Sequence, residues 1–439
     1  MSFGESVLRR HAAGALVVQP RMGLADPARM RRGLAATKAA AAATAGTITL
    51  DSYTRVGDLD SVGRALRDGV ELNGYPIVTH GAHATRRMVE GIADDDFPIQ
   101  VRHGSARPSH IVGVMARAGL HATEGGPVSY CLPYGRTPLE DSLRDWTRAC
   151  ELLVETCEPG AQPHLETFGG CMLGQLCPPS LLVALSILEA LFFRSTGVRS
   201  VSVSYAQQTN AAQDREAVRA LRRLCAELLS DVEWHVVVYA YMGLYPRTAH
   251  GARALLAGAA RLAVDTGSER LIVKTVAEAF RLPTVEENIE ALEFAAAVAA
   301  EHRGRPLPPD QDRGQLYEES RALIDAVLNI GPDVGRGLVA AFGRGLLDVP
   351  YCLHPDNAGR TRSRLDADGC LRWAALGSLP LRHLVGRDRD GAPTAARLVA
   401  ALSHVQQRFD APAVGRLTEA GGASAAGDRP AVDQMRELL

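Results

Sequence analysis

The stretch "VRSVSVSYAQQTNAAQDREAVRALRRLCAELLSDVEWHVVVYAYMG", residues 198–243, decides the fold. An apolar run rich in β-branched residues (198–208) gives way to a polar turn, then to a helix-period segment (215–229). A second apolar run (234–243) closes the unit. Strand, helix, strand at this pitch predicts two parallel strands joined by a helical crossover. Working outward, similar runs occur at 15–21 (ALVVQPR), 47–55 (TITLDSYTR), 75–81 (YPIVTHG), 97–104 (FPIQVRHG), 120–126 (LHATEGG), 164–170 (HLETFGG) and 270–275 (RLIVKT). Helix-period stretches such as 60–72 and 288–302 lie between or after them. Nine candidate strands in about 260 residues predict an α/β chain folded as a TIM (β/α)8 barrel, with one candidate outside the eight. A doubly wound sheet is the alternative, and no GxGxxG or P-loop follows any strand to support it.

The bulk properties narrow the class. Of 439 residues, 46% are apolar and 22% charged, enough to bury a large core. A net charge of −2 argues against a nucleic-acid surface. Eight scattered cysteines without a CxxC pair predict reduced thiols in a cytoplasmic enzyme, with no disulfide framework and no metal site. The N-terminal segment has a charged, helix-like start and no signal-peptide pattern. The most apolar segment, 181–193, is too short to span a bilayer and contains Glu189, so it reads as a buried helix with Ser180 as N-cap; no membrane association is expected. The alanine-rich stretch 34–46 reads as a surface helix. Proline and charge at 302–314 predict a boundary: a barrel domain 1–303, a linker 304–314, a smaller α+β region 315–410 and a flexible tail 411–439.

The ends of the candidate strands carry the chemistry. Arg21, Arg55 and Arg102 each follow or end a different run, and Glu124, Tyr130, Tyr134 and Lys274 occupy similar places. In a parallel barrel all these ends open on one face. Three guanidiniums there suit a dicarboxylate, and Glu124 suits an ammonium group. With 46 arginines in the chain, any one of them alone is ordinarily a solvated loop residue; Glu124 could equally be a helix cap, the tyrosines packing, and His103 a core histidine. Lys274 is different. It is one of two lysines, placed in an apolar run with Glu278 four residues later, so the position calls for a compact ammonium rather than a planar fork.

These residues sit in motifs that occur in a known order: "QPRMG", "TITLDSYTR", "LNGYPIVTHG", "VRHG", "EGGPVSYCLPY", "ETFGG", "YMGLYP" and "IVKTVAEAFRLPT". Together with "LDVPY…NAG" and "DGC" further on, they resemble the epsilon subunit of adenosylcobalamin-dependent glutamate mutase (methylaspartate mutase) over roughly residues 15–380. The resemblance implies a TIM barrel, an arginine claw of Arg21, Arg55 and Arg102 for the two substrate carboxylates, and Glu124 at the substrate ammonium. Tyr130 and Tyr134 would be the site tyrosines, and Lys274 and Glu278 would meet the adenosyl ribose. Thr49, Asn73, His103, Pro133, Phe168 and Met242 would complete the surroundings. The implied reaction is a radical rearrangement of (S)-glutamate to threo-3-methylaspartate in glutamate metabolism. There, homolysis of a cobalt–carbon bond leads to a substrate radical that fragments and recombines. The first claw arginine lies nearer the N-terminus than in the family pattern, so a leading segment is missing, and the loops "HGAHATRRMV" and "SYAQQTNAAQD" depart from that pattern. The family pattern implies a small cobalamin-binding sigma-type subunit as partner, since no Asp-X-His triplet occurs here to ligate cobalt, and a homodimer core within a heterotetramer. Two other readings stay open: a mutase for another acidic amino acid, and a non-catalytic homologue that binds a dicarboxylate or a partner.

Overall fold

The computed structural model describes residues 1–157, 161–172, 174, 176–306, 314–386 and 394–417. Eight parallel strands form its centre: β1 (Val17–Gln19), β2 (Gly46–Thr49), β3 (Ile99–Arg102), β4 (Ala122–Gly125), β5 (His164–Thr167), β6 (Ser200–Ala206), β7 (Glu233–Tyr239) and β8 (Arg270–Ile272). The ladder runs β1-β8-β7-β6-β5-β4-β3-β2. Its two edges meet where Val18 pairs with Thr44, through Val18 N–H to Ala43 C=O (2.8 Å) and Ala45 N–H to Val18 C=O (3.2 Å). The sheet is therefore a closed TIM barrel. Half of the alanine-rich stretch takes part in this closure instead of remaining helical.

The helices before the second region are α1 (Phe3–Ala12), α2 (Pro27–Ala39), α3 (Ser52–Val56), α4 (Leu59–Arg67), α5 (Ile77–Val89), α6 (Ser109–Arg117) and α7 (Leu139–Thr156). They continue with α8 (Pro179–Ser195), α9 (Ala211–Leu228), α10 (Ala249–Asp265) and α11 (Val285–His302). Residues 198–243 form β6, α9 and β7, with register running from Ser200–Glu233 to Ala206–Tyr239. The ninth candidate, 75–81, is not a strand. Tyr75 makes a single bridge to Leu50, Pro76 has no N–H to extend a ladder, and α5 begins at Ile77. Helix α8 is buried as expected, but its N-cap is Pro178; Ser180 lies inside and donates to Glu319 (2.7 Å).

Helix α1 closes the N-terminal end of the barrel. The Phe3 ring stacks on His164 at 5.0 Å, and the Arg270 guanidinium lies 4.9 Å from the same ring. A β-carbon on Gly4 would stand 2.4 Å from both Glu233 and Ser200, so only glycine lets the helix sit this close.

Beyond the barrel come α12 (Gln315–Leu328), α13 (Val334–Arg344), a hairpin of β9 (Arg362–Leu365) and β10 (Leu371–Ala375), and α14 (Ala395–Leu417). Buried Glu319 on α12 binds Ser180 of α8 and Trp373 of β10, and α14 packs on α10. Linker residues 307–313 and tail residues 418–439 lie outside the described residues. No helix among the described residues is long and apolar enough to cross a membrane.

Candidate active site

Arg102 is the last residue of β3, 4% exposed. One terminal nitrogen, Nη2, lies 2.8 Å from Glu124 Oε2 and donates to the Tyr239 hydroxyl at 3.4 Å. Its Nε and Nη1 have no hydrogen-bond partner among the described residues. Burial alone would lower the guanidinium pKa, but Glu124 and Tyr239 more than offset it and hold it well above the ordinary value. Glu124, inside β4, also accepts from Tyr130 and, at 2.7 Å, from Tyr239. The Tyr239 hydroxyl contacts Glu166 of β5 as well, so it sits between two carboxylates that pair across the β4–β5 register.

The loop after β4 carries Tyr130 and Tyr134, ring centroids 6.2 Å apart. Tyr130 also packs against Phe168 (5.0 Å) and His103 (5.3 Å), and Trp146 lies behind them. Burial pushes the Tyr134 phenol up to about 12, moderated by Arg55 and Arg21. The loops after β4 and β5 are both fastened by buried Glu189 of α8, whose carboxylate accepts from the backbone N–H of Val128, Ser129, Phe168 and Gly169 and from the Ser129 hydroxyl. Burial raises its pKa to about 7 against the pull of those donors.

Arg55 is not at a strand end. β2 stops at Thr49, and Asp51 caps α3 by accepting from Tyr53 N–H (3.0 Å) and Thr54 N–H (2.9 Å). Arg55 therefore points from a short helix, and its buried Nε has no partner among the described residues. A β-carbon on Gly104 (φ +66°) would fall 2.8 Å from that Nε, so glycine both turns the β3 loop and makes room for the arginine. His103 accepts from Ser105 N–H (2.9 Å) through Nδ1; burial, then Arg55, depress its pKa to about 3.

On the opposite side, Lys274 follows β8 and is 2% exposed, with Nζ 2.9 Å from Glu278 Oε1 and 5.3 Å from the Tyr245 ring centroid. Arg21, in the loop after β1, reaches the same Glu278 oxygen at 3.1 Å. Burial lowers the Lys274 pKa, opposed by Glu278 and assisted by Arg21. Burial would raise that of Glu278, but Lys274 and Arg21 win and lower it. The Lys274 contact lacks hydrogen-bond geometry, and the hydroxyls of Tyr241, Tyr245 and Thr49 are likewise without partners among the described residues. A buried donor left unpaired costs about 1–3 kcal/mol.

A family model described as "Methylaspartate mutase E chain (MutE)" matches residues 1–392. The chain belongs to this methylaspartate mutase E chain family. Proteins named "Glutamate mutase epsilon subunit" are similar along most of its length. The one from Halobacterium salinarum is 36% identical over 76% of this chain and 71% of its own. That from Yersinia enterocolitica is 33% identical over 76% and 72%. That from Desulfitobacterium hafniense is 30% identical over 86% and 81%.

In this mutase-family chain, the residues expected from sequence lie in two groups at the barrel mouth. Arg102, Glu124, Tyr130 and Phe168 are joined by direct contacts, with Arg55 and Tyr134 beside them. Arg21, Lys274 and Glu278 form the second group. Pro133 and Met242 are half-buried in the mouth loops. Asn73 is exposed, with its Oδ1 engaged by Ser52 N–H (3.0 Å). Sequence reading missed Tyr239, Glu166 and the fastening role of Glu189. Tyr239 and Glu166 were visible as polar residues inside strands, and Glu189 as a carboxylate in an apolar helix.

Proposed function

We propose that this chain binds (S)-glutamate and threo-3-methylaspartate and supports their interconversion with adenosylcobalamin. The observation that carries this reading is the set of buried guanidinium nitrogens without partners among the described residues, Nε and Nη1 of Arg102 beside Glu124 and Nε of Arg55 beside His103. In this reading Arg102 offers Nε and Nη1 to one carboxylate, and Arg55, with Arg21 released from Glu278, takes the other. Glu124 exchanges its contact with Arg102 for the substrate ammonium and keeps that group protonated. The wall of Tyr130, Phe168 and Trp146 excludes water and holds the substrate in one orientation. A claw on both carboxylates prevents the pieces of a rearranging skeleton from separating.

The donor set fits the cofactor's adenosyl group. Lys274 Nζ, Glu278 and the Tyr245 and Thr49 hydroxyls, which have no partner among the described residues, are suited to a ribose and its neighbours. When bound, adenosylcobalamin supplies the carbon radical that exchanges a hydrogen atom with the substrate. Lys274 and Glu278 orient the ribose; the claw orients the substrate.

We propose, as the family resemblance implies, that the corrinoid is carried on a small second subunit; these 439 residues contain no Asp-X-His triplet. Support for docking at the mouth comes from exposed apolar residues on its loops: Tyr53 and Val56 on α3, and Phe280 and Leu282 after β8. Such a complex is expected in the cytoplasm. The test is incubation of the chain with (S)-glutamate, adenosylcobalamin and a cobalamin-binding subunit, reading 3-methylaspartate by chiral chromatography. Product is expected only with all four present. Full turnover by the chain alone would overturn the two-component reading, and no conversion in the full mixture would overturn the reaction.

A further inference from the structure

The motif "LDVPY…NAG" lies in a loop of the second region, residues 347–361, far in sequence from the barrel mouth. Its internal bonding is dense. The buried Asp348 carboxylate accepts from the backbone N–H of Gly359 (2.8 Å), Arg360 (2.7 Å) and Thr361 (2.7 Å). Asn357 accepts from Val349 N–H (2.8 Å) and donates to the carbonyls of Val349 (3.0 Å) and Cys352 (3.1 Å). Tyr351 is held at φ +62°, uncommon for a residue with a β-carbon, and its hydroxyl donates to Ser363 C=O (2.8 Å). Backbone held in such a conformation is over-determined by its surroundings.

This rigid loop grips the segment that carries the two site tyrosines. Helix α7 begins after Pro138, which has no side-chain cap, and Leu139 N–H donates instead to Asp356 Oδ2 at 2.7 Å. The cap of a barrel helix thus comes from the second region. Asp356 N–H donates to His354 Nδ1 (3.1 Å), which leaves the proton on Nε2, and that nitrogen donates to Thr137 C=O (3.0 Å). Cys352 Sγ reaches Leu132 C=O at 3.4 Å. From the barrel side, Glu189 holds Val128 and Ser129. Tyr130 and Tyr134 therefore lie on a stretch pinned at 128–129, 132, 137 and 139.

We propose that His354 and Asp356 are positioning residues: they fix the tyrosine loop in its working shape before any ligand arrives. The loop's conformational entropy is then lost on folding and not on binding, which strengthens and speeds ligand capture. The nature of that ligand rests on the dicarboxylate reading above; the clamp itself does not.

The experiment compares the full-length wild-type chain with His354→Ala, Asp356→Ala and His354→Gln. Hydrogen exchange is read on peptides covering 126–140, together with KM and kcat for (S)-glutamate in the complete mixture. Asp356, with its side chain 42% exposed, gives a second variant that keeps the fold if His354→Ala does not. The expected result is at least tenfold faster exchange at residues 130–137, with other barrel peptides unchanged. KM should rise about tenfold with a smaller change in kcat. His354→Gln, whose amide can still donate to Thr137 C=O, should recover most of both. Faster exchange in a chain that converts no glutamate would support the clamp while removing the proposed substrate. Unchanged exchange at 130–137 in both alanine variants, or a lower melting temperature with KM unaltered, would overturn the proposal.

Discussion

Two arginines are buried inside the same barrel, one near each end. Arg270, near the N-terminal end, uses all three of its nitrogens: Nε meets His235 (3.3 Å), Nη1 meets Gln19, and Nη2 meets Glu166 and Ser202 (2.9 Å). Arg102, at the C-terminal end, leaves Nε and Nη1 without partners among the described residues. Both carry a carboxylate partner and both are nearly inaccessible. Charge and burial do not separate them; the hydrogen-bond inventory does. Where all three guanidinium nitrogens are matched and α1 seals the end, the arginine is architecture. Where two of the three nitrogens are unmatched among the described residues and loops surround them, the arginine keeps donors free for the ligand proposed above.

Breaking the architectural end should have the largest effect on stability. Arg270→Ala leaves Glu166 buried without its cation, which costs about 3–5 kcal/mol. Urea unfolding should show that loss; an Arg270→Ala protein as stable as wild type but inactive would move Arg270 into the functional set. Lys274→Ala tests the other end. Glu278 keeps Arg21 as a partner, so it is not left as an uncompensated buried charge and the stability loss should be smaller than that of Arg270→Ala. Turnover should fall ten- to hundredfold, about 1.4–2.7 kcal/mol in the barrier. Lys274→Arg should not restore it, because a planar fork replaces a compact ammonium. Recovery of full turnover in Lys274→Arg would show that any cation suffices.

The smallest effect is a pH dependence. His103 is neutral in the fold, with its pKa depressed to about 3, against about 6.5 for an unfolded histidine. Between those values the unfolded chain binds the extra proton, so stability is full above about 6.5 and falls as pH drops toward 3. At pH 6 the loss from this one group is below about 1 kcal/mol. Buried His164 and His235, also depressed by burial and by Arg270, add to it. Glu189 and Asp214, both raised to about 7 by burial, act in the opposite sense and favour the fold as pH falls below 7 toward the ordinary carboxylate range. His103→Gln should therefore make the acid limb of a stability profile less steep, and an unchanged limb would show that His103 does not titrate there.

Much of this was legible in the sequence because a parallel barrel converts strand ends into one surface. Apolar runs located the eight strands, and the polar residues that ended or followed several of them located Arg21, Arg102, Glu124 and Lys274. The failures have physical causes. The 75–81 run has strand composition, but Pro76 removes a ladder donor. Arg55 left the strand because the Asp51 side chain captured the backbone and started a helix. Tyr239 and Glu166 sit in strands where inward and outward positions alternate, and an apolar run alone does not say which parity faces the barrel axis. The contacts of Glu189 and Asp356 join segments up to 217 residues apart, beyond any local pattern.

The most direct test of the contrast is a calorimetric titration of (S)-glutamate into the full-length chain, run in parallel on wild type, Arg102→Lys and Arg270→Lys at a temperature where all three are folded. Wild type and folded Arg270→Lys should bind with similar affinity. Arg102→Lys should bind ten- to hundredfold more weakly, the loss of about 1.5–3 kcal/mol expected for a charge-assisted hydrogen bond. Equal affinity in wild type and Arg102→Lys would contradict the account, since the unpartnered nitrogens of Arg102 would then not be what holds the ligand.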